Sequence, residues 1–127
     1  MSLRHFSDRE LASPDTGLYC LAPGFGPRLD ELRFRVKEPM IVTGGARSKE
    51  HNVEVGGHPR SLHVYDVPFW DTGGCCAIDV ADTRGSAYRA HLVGEALEMG
   101  FSVGINIPKK FIHIDDRSRC IGREKVL

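Results

Sequence analysis

The sequence has no long hydrophobic run and no excess of either charge. No apolar segment approaches the roughly 20 residues that a membrane-spanning helix needs, and 17 basic residues balance 17 acidic ones among 127. A balanced charge gives no general reason to expect a nucleic acid or an anionic membrane as a partner. We therefore expect neither nucleic-acid binding nor stable insertion into a membrane.

The sequence also lacks internal repeats, low-complexity tracts and linker-like segments. Its length suits one compact domain, so we expect a single domain over residues 1–127. The opening residues, MSLRHFSDREL, have no apolar core of the kind found in signal peptides. We expect the protein to be cytoplasmic as synthesised.

The four cysteines show no C-x-x-C spacing of the kind that holds structural zinc. Without an export signal, reduced thiols are expected in preference to disulfides. The adjacent pair Cys75 and Cys76 leaves open a thiol or redox function, although no other pattern in the sequence supports one.

Short apolar runs separated by glycine and proline predict an α+β fold. Two main helices are expected over residues 28–36 and 86–100, and four strands over 40–43, 76–80, 101–106 and 111–115. Residues 22–27 and 44–60 are expected to form loops because they are rich in glycine, proline and polar residues. Because strands and helices do not alternate regularly, we predict a small, mainly antiparallel sheet.

The second helix has recognisable boundaries and a candidate buried face. Asp82 or Thr83 could cap its N-terminus, and Gly100 is expected to close its C-terminal end. The residues expected to face the core are Ala87, Ala90, Val93, Ala96 and Leu97.

Strand alternation places potential metal ligands on one face of the sheet. His113 shares a strand face with Phe111 and Asp115, and Asp79 lies in a neighbouring predicted strand. His63 could approach from the preceding loop, which would complete the three protein ligands that a catalytic zinc takes. From spacing alone, the alternative stays open that each histidine is a surface residue and that Asp79 hydrogen-bonds a turn.

The residues around His63 carry a more specific pattern. Residues 42–63, VTGGARSKEHNVEVGGHPRSLH, strongly resemble the zinc D-Ala-D-Ala carboxypeptidase and endolysin peptidase family, which cuts peptides of the bacterial cell wall. That family reads approximately S-G-x-R, H-N, V-G-G, S-x-H, G-x-A-x-D and a final strand-borne H. The matching residues here are Arg47, His51, Asn52, Val55, Gly56, Gly57, Ser61, His63, Ala77, Asp79 and His113.

The resemblance implies the D-Ala-D-Ala peptidase or Hedgehog-like fold and a Zn²⁺ ion held by His63, Asp79 and His113. It also implies that zinc activates a water molecule for attack on the peptide carbonyl. Arg47 would stabilise the oxyanion or clamp a substrate carboxylate. The alternative for Arg47 is a loop salt bridge with Glu50 or Glu54.

The chain departs from the family pattern between the first histidine and the aspartate. Nine extra residues, VYDVPFWDT at 64–72, separate His63 from Asp79. A loop absorbs such an insertion at small entropic cost. Tyr65, Phe69 and Trp70 on this insertion could cover the cleft or simply anchor the loop to the domain surface.

A second departure concerns the general base. Many family members place a glutamate or a histidine where this chain has Lys110 and Phe111, and neither of these can take a proton from water in the usual way. Asp115 is the candidate base, although it could instead orient His113 from behind the ring. Further candidates are Asp66, Asp71 and Asp116.

The resemblance implies a zinc metallopeptidase that hydrolyses peptide bonds in peptidoglycan stem peptides. It would be a carboxypeptidase or an endolysin-like endopeptidase, encoded by a phage or prophage, that meets the cell wall after release from the cytoplasm. The alternative is a noncatalytic, zinc-bearing cell-wall-binding or phage virion module that kept the fold and lost the base.

Overall fold

The computed structural model describes residues 3–66 and 73–120, without the side chain of Cys120. Five helices and four strands occur in these ranges. The helices are α1 (Asp8–Leu11), α2 (Phe25–Val36), α3 (Lys49–Glu54), α4 (Ser86–Glu98) and α5 (Arg117–Cys120). The strands are β1 (Val42–Gly44), β2 (Ala77–Ala81), β3 (Ser102–Asn106) and β4 (Phe111–Asp115).

The four strands form one antiparallel sheet in the order β1-β2-β4-β3. Strands β2 and β4 are central, and they pair without interruption from Ala77 opposite Asp115 to Ala81 opposite Phe111. The predicted α+β class, with two main helices and a four-stranded antiparallel sheet, is confirmed. The element that carries Asp79 is therefore held on both sides by other strands.

Both long helices pack on one face of the sheet. Ile78 and Val80 of β2 and Ile112 and Ile114 of β4 are fully buried in the core, together with residues of α2 and α4. Since side chains alternate along a strand, the residues between them point to the opposite face. That opposite face carries Asp79 and His113.

Two of the expected loops contain helical residues. Helix α2 begins at Phe25 inside the segment 22–27, because Pro27 falls in its first turn, where a missing backbone N–H costs nothing. Helix α3 occupies residues within 44–60, with Ser48 as its N-cap: the Ser48 hydroxyl accepts a hydrogen bond from the backbone N–H of His51. The loop predictions for these two stretches were wrong to that extent.

The predicted buried face of helix α4 is confirmed in part. Ala96 is buried and Val93 packs against the core, whereas Ala87 and Ala90 are exposed and Leu97 is 56% exposed. The other buried residues of the helix are Tyr88 and Leu92. Its N-cap is Gly85, which offers no side-chain hydrogen bond, so neither Asp82 nor Thr83 caps it. The predicted C-terminal end is confirmed, with Gly100 in a left-handed conformation at φ 90°.

Within residues 3–66 and 73–120, every helix is too short or too polar to cross a membrane.

The expectation that aromatic residues of the insertion cover the cleft or anchor the loop concerns mostly residues outside the described ranges. Phe69 and Trp70 lie outside these ranges, and so does the candidate base Asp71. Tyr65 is described, and its hydroxyl lies 3.0 Å from the hydroxyl of Thr16. This contact ties the start of the insertion to the loop after α1.

Candidate metal centre

Three side chains from distant parts of the chain meet on the open face of the sheet. His63, Asp79 and His113 each present a potential ligand atom, and these atoms lie within 4.8 Å of one another. Asp79 Oδ1 is 3.3 Å from His63 Nε2 and 2.9 Å from His113 Nδ1. The two imidazole rings stand 5.3 Å apart at an angle of 60°, as two ligands around a common point would.

The strand register explains why Asp79 and His113 are adjacent. They are directly paired across β2 and β4, and Gly44 of β1 is the partner of Asp79 on its other side. A Cβ at position 44 would stand 3.0 Å from Asp79 Oδ2, so the glycine leaves room for the carboxylate. The central position of both strands gives these two groups a rigid support.

His63 reaches the site from a segment that pairs with Arg47 through a bridge at Val64. Its carbonyl accepts a hydrogen bond from the backbone N–H of Arg47, and its ring Nδ1 lies 2.7 Å from the carbonyl oxygen of Gly45. A carbonyl can only accept, so Nδ1 carries a proton, and Nε2 is the ring nitrogen turned toward Asp79. This tautomer presents His63 Nε2 as a metal ligand.

The ring of His113 is held by a hydrogen-bond partner on the side away from Asp79. Its Nε2 lies 2.8 Å from Asp115 Oδ2, and Nδ1 faces Asp79. Asp115 is fully buried and also accepts hydrogen bonds from the Arg117 side chain, the closest at 2.8 Å, and from the Arg117 backbone N–H at 3.0 Å. The carboxylate therefore orients the ring so that Nδ1 points into the site.

The charges at the site perturb one another strongly. Burial alone would lower the pKa of His113, but hydrogen bonds to Asp115 and Asp79 outweigh it and raise that pKa to about 9. Burial would raise the pKa of Asp115, but bonds from His113 and Arg117 lower it to about 2. The pKa of Asp79 is likewise lowered, because the two histidines overcome the effect of burial.

These shifts predict how the stability of the zinc-free protein depends on pH. A raised histidine pKa stabilises the fold below its ordinary value of 6.5, and this contribution disappears as the pH rises through about 9. The lowered pKa values of Asp79 and Asp115 stabilise above about 3.8, and that contribution disappears at lower pH. Urea unfolding of zinc-free protein should show falling stability between pH 6.5 and 9. The same slope in His113→Asn would contradict the assignment to His113.

A cavity of about 420 Å³ opens over the three side chains. Its lining residues are Arg47, Ser61, His63, Asp79, Gly104, Ile105, Asn106, Phe111 and His113. Among these described lining residues, Asp79 is the one carboxylate and Arg47 the one permanent cation. The cavity combines a candidate metal centre with a fixed positive charge in one cleft.

Arg47 is positioned by the loop and helix that follow it. Its Nη2 lies 3.8 Å from Asp79 Oδ2, and its Nη1 donates to Asn52 Oδ1 at 3.3 Å. The Asn52 amide in turn donates to the carbonyl of His58 at 2.9 Å. A Cβ at Gly57 would stand 2.1 Å from Asn52 Oδ1, which explains the need for glycine there. The described contacts of Arg47 do not include the Glu50 or Glu54 salt bridge considered from the sequence.

The candidate bases lie away from the cavity or outside the described ranges. Asp115 is behind His113, and Asp116 is buried between Arg28 and Arg119. Asp66 accepts a hydrogen bond from the backbone N–H of Lys49 at the start of α3. Lys110 is exposed at the β3–β4 turn. For Asp115, this geometry favours the orienting role over the role of base.

Sequence reasoning missed the role of one residue and missed another altogether. Asn52 was part of the matching motif, but its contact with the guanidinium of Arg47 was not predicted. Arg117 holds Asp115, and its position two residues after that carboxylate gave no distinctive signal.

The two buried cysteines do not contribute to this centre. Cys75 and Cys76 have no solvent exposure, and the Cys75 thiol lies 3.2 Å from the carbonyl of Ala77. Reactive thiols need access to solvent and a nearby cation. In the described ranges, the residues that could jointly bind a metal ion are His63, Asp79 and His113.

The donor set fits zinc. Two imidazoles and one carboxylate are the ligands that catalytic zinc sites use, with a fourth position left for water or substrate. Each imidazole also has its second nitrogen fixed by an oxygen acceptor, as metal-binding histidines usually do. The residues could therefore accept a zinc ion without a change of fold.

Comparison with known protein families identifies the family of the chain. A family model described as Peptidase M15 matches residues 22–115, which include Arg47 and all three candidate ligands. No curated protein and no solved structure gives a significant match to the chain.

Proposed function

Since the chain belongs to the peptidase M15 family, we propose that it is a zinc metallopeptidase that hydrolyses peptide bonds in the stem peptides of bacterial peptidoglycan. It would act as a D-Ala-D-Ala carboxypeptidase or as an endolysin-like endopeptidase. The observation that carries this proposal is the convergence of His63, Asp79 and His113, with one ring nitrogen of each imidazole held by an oxygen and the other turned into the site. The family match supplies the reaction class.

In this proposal, His63 Nε2, Asp79 and His113 Nδ1 hold the zinc. When bound, zinc supplies Lewis-acid activation of water and of the peptide carbonyl near neutral pH. Arg47 provides a second positive charge beside Asp79, where it can stabilise negative charge that develops on the carbonyl oxygen. Its permanent charge makes this contribution independent of pH over the range in which the protein works.

Asp115 acts in this proposal as a positioning residue. Its carboxylate accepts from His113 Nε2 and keeps the ligand nitrogen turned toward Asp79. Arg117 compensates the buried negative charge, so the pair can remain ionised beneath the site.

Replacing Asp115 with asparagine separates the orienting role from the role of base. We expect zinc affinity to fall by about 10–100-fold, the usual cost of losing such a partner. Hydrolysis should recover when zinc is saturating, because no proton passes through Asp115. Zinc titration followed by assays at saturating metal measures both quantities. If hydrolysis stays abolished with zinc fully bound, Asp115 is the base.

One observation favours the second candidate function, a noncatalytic zinc-bearing module. Lys110 and Phe111 occupy the positions where many related sequences place a base, and the described cavity lining has no carboxylate besides Asp79. Such a module would bind the cell wall or form part of a phage virion. It would contain zinc and bind wall peptides, but it would leave them intact.

For either function, we propose that the protein meets the wall after release from the cytoplasm and that a phage or prophage encodes it. The decisive experiment combines metal analysis of the purified protein with digestion of purified peptidoglycan and mass spectrometry of the released fragments. The peptidase proposal expects about one zinc per chain and new peptide termini. Loss of terminal D-Ala would identify a carboxypeptidase, and cuts inside the stem an endopeptidase. Zinc without cleavage supports the module, and absence of zinc contradicts both.

A further inference from the structure

A gap in the side-chain layer leads from the candidate metal centre to the edge of the sheet. Gly104 of β3 is the direct partner of His113, so Asp79, His113 and Gly104 form one row across three strands. Ser102 and Asn106 flank Gly104 on the same face of β3. We call the space over Gly104, between these two side chains, the Gly104 notch.

The backbone does not require glycine at this position. Gly104 is absent from the glycines with positive φ, so its conformation is open to any residue. Glycine inside a strand weakens it relative to other residues. Its presence therefore has to be explained by something other than local conformation.

Packing within the protein does not require glycine either. A Cβ built at Gly104 would have one neighbour within 4 Å, the Cβ of His113 at 3.7 Å, which is an ordinary van der Waals contact. At Gly44, on the other side of the row, a Cβ would instead stand 3.0 Å from the Asp79 carboxylate. Gly44 thus makes room for a protein group, whereas Gly104 leaves room that the described residues do not fill.

The notch belongs to the same cavity as the metal centre. Gly104 and Asn106 line that cavity together with His113 and Arg47. The Asn106 side chain is held in place, because its Oδ1 accepts a hydrogen bond from the backbone N–H of Lys109 at 3.0 Å. Asn106 therefore forms a fixed wall of the notch, and the backbone of the edge strand β3 forms the floor of the notch.

We propose that Gly104 is a specificity-determining residue, over which the substrate peptide leaves the metal centre toward the edge of the sheet. The inference rests on the proposed peptidase function. Same-face positions on a strand are about 6.6 Å apart, so omitting one side chain opens about 13 Å between the flanking Cα positions. An extended peptide, which needs about 5 Å beside a neighbouring strand, can pass there with its backbone against Gly104. A larger residue at 104 would lift the peptide away from His113.

The test compares wild type with Gly104→Ala and Gly104→Val, and it uses Gly94→Ala as a matched control. Gly94 lies in α4, has no positive φ, and a Cβ there would meet nothing within 4 Å. Zinc content, thermal unfolding and the rate of peptidoglycan cleavage are measured for all four proteins. We expect every variant to bind zinc like the wild type and to unfold at the same or a higher temperature.

The expected difference lies in cleavage alone. Gly104→Val should reduce kcat/KM by about tenfold or more, since small displacements of a bound substrate cost large factors in rate, and Gly104→Ala should reduce it less. Gly94→Ala should cleave like the wild type. The peptide fragments that the wild-type protein releases should also act as product inhibitors. They should inhibit the wild-type protein more strongly than Gly104→Val when the two proteins are assayed at equal saturation with substrate.

Three results would overturn the inference. If wild type cleaves peptidoglycan and Gly104→Val cleaves it equally well, the notch does not carry substrate, while the proposed function stands. If Gly104→Val loses zinc or stability together with activity, Gly104 has a structural role. If the wild type binds no zinc or does not cleave, the proposed function fails and the inference fails with it.

Discussion

Replacing His63 with alanine should reduce bound zinc from about one ion per chain to nearly none and abolish peptide hydrolysis. The side chain is 3% exposed, and its Nε2 is one of three atoms available to hold the ion. Two remaining ligands hold zinc far more weakly than three, because each missing ligand position must be filled by water. Metal analysis after dialysis against a weak chelator measures the loss.

The control for this variant is His91→Ala. His91 lies on the surface of α4, where its Nε2 is 3.6 Å from Glu95. This helix packs on the face of the sheet opposite the one that carries Asp79 and His113. The His91→Ala variant should keep both zinc and activity. Since truncating a buried side chain can also destabilise the fold, Asp79→Asn provides a second test of nearly unchanged shape. If both His63→Ala and Asp79→Asn retained tightly bound zinc, the proposed metal centre would be wrong.

Replacing Arg47 with lysine should leave zinc in place and lower kcat by about 10²–10³, the range found when an oxyanion donor is removed. Arg47 is 22% exposed at its side chain, and Asn52 and Asp79 fix its guanidinium from two directions. Lysine keeps the charge but cannot reproduce two divergent N–H groups in one plane. Steady-state kinetics on a soluble muropeptide, with zinc content measured in parallel, tests this prediction.

Arg35→Lys is the matched control for Arg47. Arg35 forms an exposed ion pair with Glu31 on α2, and its replacement should change neither zinc content nor cleavage. If Arg47→Lys lost zinc along with activity, Arg47 would act by holding Asp79. Unchanged kinetics would remove Arg47 from the mechanism.

Local sequence patterns predicted most of the fold. The strands were recognisable because Ile78, Val80, Ile112 and Ile114 alternate with polar or small residues, and a half-buried strand requires that alternation. The buried face of α4 was predicted only in part, with Val93 and Ala96 right and the other three residues wrong, for a physical reason. Alanine is common on both faces of a helix, so the alanines obscured the face defined by Tyr88 and Leu92.

The sequence by itself determined the candidate residues of the site. Strand alternation put His113 and Asp79 on a polar face, and the motif from Arg47 to His63 indicated zinc peptidase chemistry, which the family match supports. The alternation is a local pattern, whereas the zinc ligands and the chemistry followed from the family resemblance, because spacing alone left surface histidines as an alternative. Neither inference needed knowledge of how distant segments approach one another.

Only the tertiary structure decided how those residues are arranged. The register of β2 against β4 set Asp79 beside His113, and the carbonyl of Gly45 selected the tautomer of His63. The register of β3 against β4 put Gly104 at the end of the row, and burial with Arg117 placed Asp115 behind the ring. The physical reason is that hydrogen-bond partners, burial and open space arise from contacts between segments far apart in the chain, and no local pattern of residue types specifies them.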